Sequence, residues 1–267
     1  MRLRGAVVAI TGASSGIGAA TALAFARHHA RLALGARRVG RLEAVAARCR
    51  QAGAPHVSVH ALDVAQKMEV DSFVTAVVSE HGRLNVLVNN AGVGWAGRLE
   101  SMPEAKIEQL VGTNLKGVVY TVQAALPWML EQRSGVIINV ASVAGFRASP
   151  YSAVYSATKH AVVGLSHALR GELSGTGVKV CVVYPGVTGG TEFFQEAGKA
   201  LGPQYPASWV ANLIVRTARR PRRDAMVAPL RLAHLAEPVL GGMLDHALGE
   251  IRRRNLVDSG ESAQPEL

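Results

Sequence analysis

Cysteine is nearly absent: Cys49 and Cys181 are the only two in 267 residues. Two thiols in apolar or helical surroundings cannot build a disulfide framework. This excludes the disulfide-stapled secreted class and suits buried free thiols in a reducing compartment. Aromatic residues make up 5% of the chain and charged residues 18%. No apolar run approaches the ~18–20 residues of a membrane span. Arg2 and Arg4 precede a short apolar stretch, but Gly12 cuts it well below a signal-peptide core. Together these shortages predict a cytoplasmic protein. Acidic residues are scarce at the start, where residues 1–60 hold nine Arg and a single acid, Glu43. Residues 61–200 balance eleven bases against eleven acids, and 201–267 hold nine Arg and seven acids. The formal charge of +10 is therefore concentrated in the first quarter of the chain.

What is present is a core. A hydrophobic content of 49% excludes global disorder, and the length suits one large α/β domain. Short β-branched runs alternate with longer helical ones. Ala6–Ile10, Leu32–Ala36, Val57–Ala61, Val86–Val88, Val136–Val140 and Val178–Val183 read as strands, several of them apolar throughout, as strands buried on both faces should be. Helices are expected over Gly16–His28, Arg41–Gln51, Ala65–His81, Pro103–Val111, Leu115–Gln132 and Ser152–Ser174. The alternation predicts a doubly wound parallel α/β sheet of Rossmann type in a single domain, 1–257. Thr188–Pro206 reads as a long loop or lid. Beyond it come a helix over Val210–Arg219, a short strand at Met226–Ala228 and helical spacing over Leu230–Ile251. Residues 258–267 read as a frayed tail.

Thr11-Gly12-Ala13-Ser14-Ser15-Gly16-Ile17-Gly18 follows the first strand and opens the first helix. Gly12 permits a tight turn, Gly16 lets the backbone approach a pyrophosphate, and Gly18 allows close packing of helix on sheet. The helix N-terminus then offers unpaired N–H groups and a positive dipole end to phosphates. The second strand ends in Gly35-Ala36-Arg37-Arg38, with no carboxylate before Glu43. An acidic residue there would bind a ribose 2′-hydroxyl, whereas Arg37 and Arg38 suit a 2′-phosphate. The expected cofactor is NADP(H).

Asp63 stands after the third strand and Asn89-Asn90-Ala91-Gly92 after the fourth, followed by Asn114, Ser142 and Tyr155-x3-Lys159. In this order the motifs strongly resemble the short-chain dehydrogenase/reductase family, from about residue 5 to Gly186. The resemblance implies an oxidoreductase moving a hydride between NADP(H) and a carbonyl or secondary alcohol. Tyr155 and Lys159 lie four apart on one helical face, and an ammonium beside a phenol favours the phenolate. By resemblance Tyr155 is the acid/base and Lys159 also holds the nicotinamide ribose. Ser142 positions the substrate oxygen, and Asn114 bends its helix and holds a proton-relay water. On local pattern alone, Ser142 reads as a turn residue and Asn114 as an N-cap.

The resemblance extends to the cofactor contacts. Gly12, Ser14, Ser15, Gly16, Ile17, Gly18, Arg37 and Arg38 surround the phosphates, and Asp63 and Val64 the adenine. Asn90, Ala91, Gly92, Pro185, Gly186, Val187 and Thr188 line the nicotinamide side. Asn89 instead reads as a brace for the central sheet. The family often has a threonine where this chain has Gly190, which leaves Thr188 and Thr191 as alternatives. Val93, Trp95, Ser142, Ala144, Phe146, Tyr151, Phe193 and Phe194 are candidate pocket positions. Their aromatic share suggests a hydrophobic ketone, aldehyde or alcohol. Arg98 or Arg147 would suit an anionic one. Tyr151 is a rival acid but lacks a lysine one turn later.

A rival class is a non-catalytic NADP(H)-sensing or nucleic-acid-binding regulator on the same fold, which would need no proton donor. The basic C-terminal segment, 207–257, matches the family poorly and has acids among its arginines, so solvated helix ends or a subunit contact are expected there rather than a membrane surface. Ala157, Ala161, Leu165 and Ala168 form a small apolar face that suits a homodimer or homotetramer. No metal is expected: among nine histidines, His56 and His60 sit four apart on a strand, about 13 Å by its rise. The basic first quarter is best explained by NADP(H), with the remaining arginines steering an anionic cofactor.

Overall fold

The computed structural model describes residues 1–189, 204–227 and 250. Its main sheet contains β1 (Val7–Thr11), β2 (Arg31–Ala36), β3 (Val57–Ala61), β4 (Val86–Asn89), β5 (Gly135–Val140), β6 (Val178–Tyr184) and an edge strand, β9 (Asp224–Met226). Their spatial order is β3-β2-β1-β4-β5-β6-β9, and every pairing is parallel. Two short strands, β7 (Thr188–Gly189) and β8 (Tyr205–Pro206), pair separately. The order reverses direction between β1 and β4, which opens a crevice at their carboxyl ends.

The helices are α1 (Gly16–Ala26), α2 (Val39–Gln51), α3 (Lys67–His81), α4 (Glu104–Val111), α5 (Gly117–Glu131), α6 (Ala153–Glu172) and α7 (Ala207–Arg219). They cover both faces of the sheet, which is why the central strands are apolar over most of their length rather than alternating. The two-residue period still divides the core. Val8, Ile10, Leu32, Leu34, Val86 and Val88 pack with residues of α1, α2 and α7. Val7, Ala9, Ala33, Leu87 and Ile137 pack with residues of α3, α5 and α6.

One line of buried polar groups crosses the second of these layers. Thr121 Oγ1 donates to Asn89 Oδ1 at 2.7 Å, Asn89 Nδ2 to Asn139 Oδ1 at 2.9 Å, and Asn139 Nδ2 to Ser166 Oγ at 2.9 Å. Ser166 Oγ closes the line on the Val162 carbonyl at 2.7 Å. It joins α5, β4, β5 and α6 in sequence, so Asn89 is a brace of the central sheet, as its position suggested.

Three features differ from the sequence-based expectation. The helices predicted at Pro103–Val111 and Leu115–Gln132 are not separate. A π-turn at Gly112–Lys116 carries the chain from α4 into α5 without a break. The third helix starts at Lys67 rather than Ala65, because Asp63 Oδ1 accepts from Ala65 N at 3.0 Å and holds a turn there. The last strand falls at Asp224–Met226 rather than Met226–Ala228, and it pairs with β6. Part of the segment expected to be atypical therefore belongs to the core: Val210, Ala211, Ile214, Val215 and Ala218 of α7 pack into the α1 layer. Ala228, residues 230–249 and the tail lie outside the described residues.

Cys49 and Cys181 are both buried and unpaired, and burial pushes each thiol up to about 11. No helix among the described residues is long and apolar enough to cross a membrane.

Removing Asn139 should expose how much the polar line matters. Asn139→Ala leaves the Asn89 amide without an acceptor and opens a void, so urea unfolding is expected to show a loss of about 2–4 kcal/mol. A loss under about 1 kcal/mol would show that the line does not hold the layers together.

Candidate active site

The glycine loop sits where β1 meets α1, and the carboxyl end of β4 locks it in place. Thr11 Oγ1 accepts from the backbone N–H of Asn90 and of Ala91, both at 3.1 Å. Asn90 Nδ2 donates back to the carbonyls of Thr11 at 3.1 Å and Gly12 at 3.2 Å. There is no room for side chains here. A Cβ on Gly12, whose φ is +65°, would lie 2.7 Å from Ala91 Cα. One on Gly18 would press on the Gly12 carbonyl and lie 2.6 Å from Asn90 Nδ2.

Ser15 is the N-cap residue of α1, but its side chain makes no capping bond, and the first turn carries no acid. The first amides of α1 therefore face the loop without an intrahelical acceptor. Arg38, at the N-cap of α2, reaches the same place: its Nη2 donates to Ser15 Oγ at 2.9 Å and lies 3.5 Å from Ser14 Oγ. Arg37 is exposed beside it. Loop amides, two hydroxyls and a guanidinium together form a cradle whose donors suit a phosphate group.

At the other end of the crevice, Ser142 follows β5. Its Oγ accepts from Ala144 N at 3.1 Å, capping the short turn Val143–Gly145. Tyr155 and Lys159 come from α6, and Ser142 hydrogen-bonds Tyr155. Lys159 is buried, donates from Nζ to the Val140 carbonyl at 3.1 Å, and stands 5.8 Å from the centre of the Tyr155 ring. Asn114 is fully buried within the π-turn. Its Oδ1 accepts from Val93 N at 2.9 Å, and its Nδ2 donates to Val93 O at 2.9 Å and to Thr158 Oγ1 at 3.2 Å. Asn114 and Lys159 flank Gly92, where a Cβ would meet Asn114 Oδ1 at 3.3 Å and Lys159 Nζ at 3.6 Å. All four expected catalytic residues thus converge. Asn114 is not an N-cap; it is the widened turn of a continuous helix.

The electrostatics correct a second expectation. Burial pushes the Tyr155 phenol up to about 12, and the Ser142 hydrogen bond only partly opposes this. Lys159, expected to pull the phenol down, is itself pushed down to about 8 by burial. Burial disfavours both ionised forms.

The remaining expected residues divide. Thr188 is buried and donates to the Gly186 carbonyl at 3.0 Å, while the Pro185 carbonyl accepts from Val143 N at 3.0 Å, tying this segment to the turn after Ser142. Val64 is buried, close to Gly117, and Asp63 Oδ1 is bonded to Ala65 N. On the substrate side, the Tyr151 carbonyl accepts from Gly97 N at 2.9 Å and so joins the loop carrying Val93 and Trp95 to the entrance of α6. Tyr151 adopts φ +60°, a rare conformation for an aromatic residue. Phe146 stacks edge-on against Tyr184 with ring centres 5.8 Å apart and packs on the core. Arg98 pairs with Glu100 at 3.2 Å on the surface. Phe193, Phe194, Gly190 and Thr191 lie outside the described residues. Two supporting residues were missed: Thr11, quoted only as part of a motif, and Thr158, whose one signal was its place beside Lys159.

A family model described as short chain dehydrogenase matches residues 6–202. An uncharacterized oxidoreductase of Staphylococcus saprophyticus is 41% identical over 182 residues, which is 67% of this chain and 73% of that protein. Among solved structures, an alcohol dehydrogenase from the archaeon Thermococcus sibiricus, complexed with 5-hydroxy-NADP, superposes with a TM-score of 0.75 at 31% identity. The match covers 83% of this chain and 95% of that one. A short-chain dehydrogenase/reductase from Burkholderia phymatum, in complex with NAD, gives a TM-score of 0.80 at 29% identity over 87% of this chain and 92% of that one.

The buried Lys159 should weaken the fold. Its pKa falls from 10.5 to about 8, so between those values the unfolded chain holds a proton that the folded chain does not. Stability then rises with pH through that window, and below it the buried charge costs about 3 kcal/mol. Lys159→Met is expected to melt a few degrees higher than the parent at pH 7, with the advantage fading towards pH 10. Equal melting temperatures throughout would show that the ammonium is not desolvated.

Proposed function

The chain belongs to the short-chain dehydrogenase/reductase family, and we propose that it is an NADP(H)-dependent oxidoreductase acting on a carbonyl or secondary alcohol, with Tyr155 as its proton donor and acceptor. The hydrogen bond between Ser142 and Tyr155, with Lys159 one helical turn further on, carries this reading. It supplies two hydroxyls for a single substrate oxygen and a cation behind one of them.

The phosphate cradle fits a nicotinamide dinucleotide: Gly12 and Gly18 leave no space for side chains, and the amides of α1 await acceptors. When bound, that cofactor supplies or accepts the hydride. In the reducing direction, Tyr155 Oη donates its proton to the carbonyl oxygen, while Ser142 Oγ stabilises the negative charge developing there. The Lys159 ammonium then stabilises the phenolate that remains. With the phenol raised to about 12, Tyr155 carries its proton throughout the neutral range. Asn114, held at both ends of its amide, fixes the loop at Val93 against α6 and so keeps this geometry.

The choice of NADP(H) rests on Arg38, already placed on Ser15, and on the absence of a carboxylate at the end of β2. The half-buried Val93 and Trp95, the buried Ala144 and the Tyr151 entrance support a hydrophobic substrate. A regulator that only sensed the cofactor would have no use for Ser142 aimed at Tyr155. The exposed and half-exposed Ala157, Ala161, Leu165 and Ala168 of α6 support self-association, which light scattering would read.

A panel of ketones, aldehydes and alcohols with nicotinamide absorbance as readout tests the reading. Tyr155→Phe should lower kcat by at least about 10²-fold, since a lost proton donor costs on the order of 10²–10⁴, and leave NADPH binding within a few-fold. Activity at a tenth of the parent level or above would remove Tyr155 from its role. Arg37→Ala and Arg38→Ala together should weaken NADPH at least about tenfold and NADH little. An unchanged preference would overturn the cofactor choice.

A further inference from the structure

The opposite end of the sheet holds a group that local spacing did not reveal. Strand β3 runs away from its start at residue 57 and α3 returns antiparallel to it, so the end of the helix comes back to the beginning of the strand. There His56, immediately before β3, meets Glu80 and His81 in the last turn of α3. One ligand atom from each lies within 4.8 Å of the others. His60, the partner weighed for His56 on spacing, points elsewhere: its Nε2 is 3.0 Å from Ser58 Oγ and its ring packs edge-on against Phe73.

The contacts within the group are those of side chains sharing a small space. His56 Nε2 is 2.9 Å from Glu80 Oε1, and His81 Nε2 is 3.7 Å from Glu80 Oε2. The two imidazoles stand edge to face, with ring centres 5.0 Å apart. The His81 side chain is only 3% exposed, and its Nε2 has no hydrogen-bond partner. A buried imidazole nitrogen directed at a carboxylate, yet too far for a hydrogen bond, lacks a partner that protein atoms do not supply.

We infer that His56, Glu80 and His81 form a binding site for one divalent transition-metal ion, zinc the best match, remote from the catalytic crevice. Two imidazoles and one carboxylate are a zinc-type donor set, and tetrahedral ligands at 2.0–2.1 Å stand about 3.3 Å apart. The 2.9 and 3.7 Å separations, to the two oxygens of Glu80, bracket that value, and the 4.8 Å limit leaves a contraction of at most about 1.5 Å for side-chain rotation. His56 and Glu80 are 42% and 37% exposed, which leaves a water-accessible position for the fourth ligand. The carbonyl end of α3, closed by Gly82 in the left-handed conformation, adds a favourable dipole for a cation. Arg31 at the start of β2 acts on His81 with the opposite sign, and Glu80 offsets it. The ion would clamp the end of α3 to the start of β3.

Untagged protein stripped with chelator and titrated calorimetrically with Zn²⁺ tests this. One ion per chain is expected with a Kd in the micromolar range or tighter, together with a rise of a few degrees in Tm under excess Zn²⁺. His56→Ala, at a half-exposed position, and His81→Ala should each raise the Kd at least about tenfold, because each removes one of three ligands. Melts without metal check that both variants fold. Glu80→Gln serves where His81→Ala does not, since it keeps the shape and removes only the carboxylate. Failure of the parent to bind, or equal affinity in parent and variants, overturns the site. Neither measurement depends on oxidoreductase activity, so the proposal stands or falls apart from the catalytic reading.

Discussion

One hydroxyl fixes the geometry on which the crevice depends. Thr11 Oγ1 receives the backbone N–H groups of both Asn90 and Ala91, and Asn90 returns two bonds to the loop. The ends of β1 and β4, neighbours at the point where strand order reverses, are thereby held as one unit. The glycine loop and the segment after β4 cannot move independently. Gly12 and Gly18 are glycines because of this closeness: Gly12 lies directly against the Ala91 backbone and Gly18 against the Gly12 carbonyl and the Asn90 amide, and a methyl group would separate them. From β4 the constraint passes inward through Asn89 to Asn139 and Ser166, and so reaches α6, the helix that carries Tyr155 and Lys159. The two halves of the site are coupled through buried hydrogen bonds rather than through apolar contact alone.

The same burial that makes those bonds rigid works against ionisation at Tyr155 and Lys159. The phenol moves up and the ammonium moves down for one reason, the loss of water around both. Ser142 offers a side-chain hydrogen bond that pulls the phenol back. Its capping bond from Ala144 N fixes its orientation, so a residue that local pattern marks as a mere turn-former performs both roles through one oxygen.

The fold was readable because its signals are local. Apolar strands, helical spacing and glycines at strand–helix junctions each report on a few neighbouring residues, and the observed strands fall within a residue or two of the expected ones up to β6. Tyr155 and Lys159 were legible for the same reason, being one helical turn apart. Features that depend on distant pairing were not. The π-turn at Asn114 is fixed by Val93 and Thr158, 21 and 44 residues away, so the local pattern offered two helices and an N-cap instead. Strand β9 is set by its register on β6, not by its own short run. His56 and His81 are 25 positions apart in sequence and meet only because α3 runs back along β3.

Topology also changes what the basic first quarter means. Of its nine arginines, Arg37, Arg38 and Arg41 lie at the carboxyl ends of the strands, where the phosphate cradle is. Arg2, Arg4, Arg27, Arg31, Arg48 and Arg50 belong to the opposite edge, before β1, at the first residue of β2 or at the closing turns of α1 and α2. There Arg48 and Arg50 face the negative ends of helix dipoles, and Arg50 Nη2 donates to the Val57 carbonyl at 2.9 Å. A right-handed β–α–β winding sends every helix end back to the edge remote from the ligands, so basic residues that terminate helices collect there whatever the cofactor is. The surplus that reads in sequence as a single clue to cofactor choice divides into a small group at the cradle and a larger one at the opposite edge, half of which finishes helices. Only the first bears on NADP(H), and its weight rests on Arg38 and Ser15 rather than on net charge.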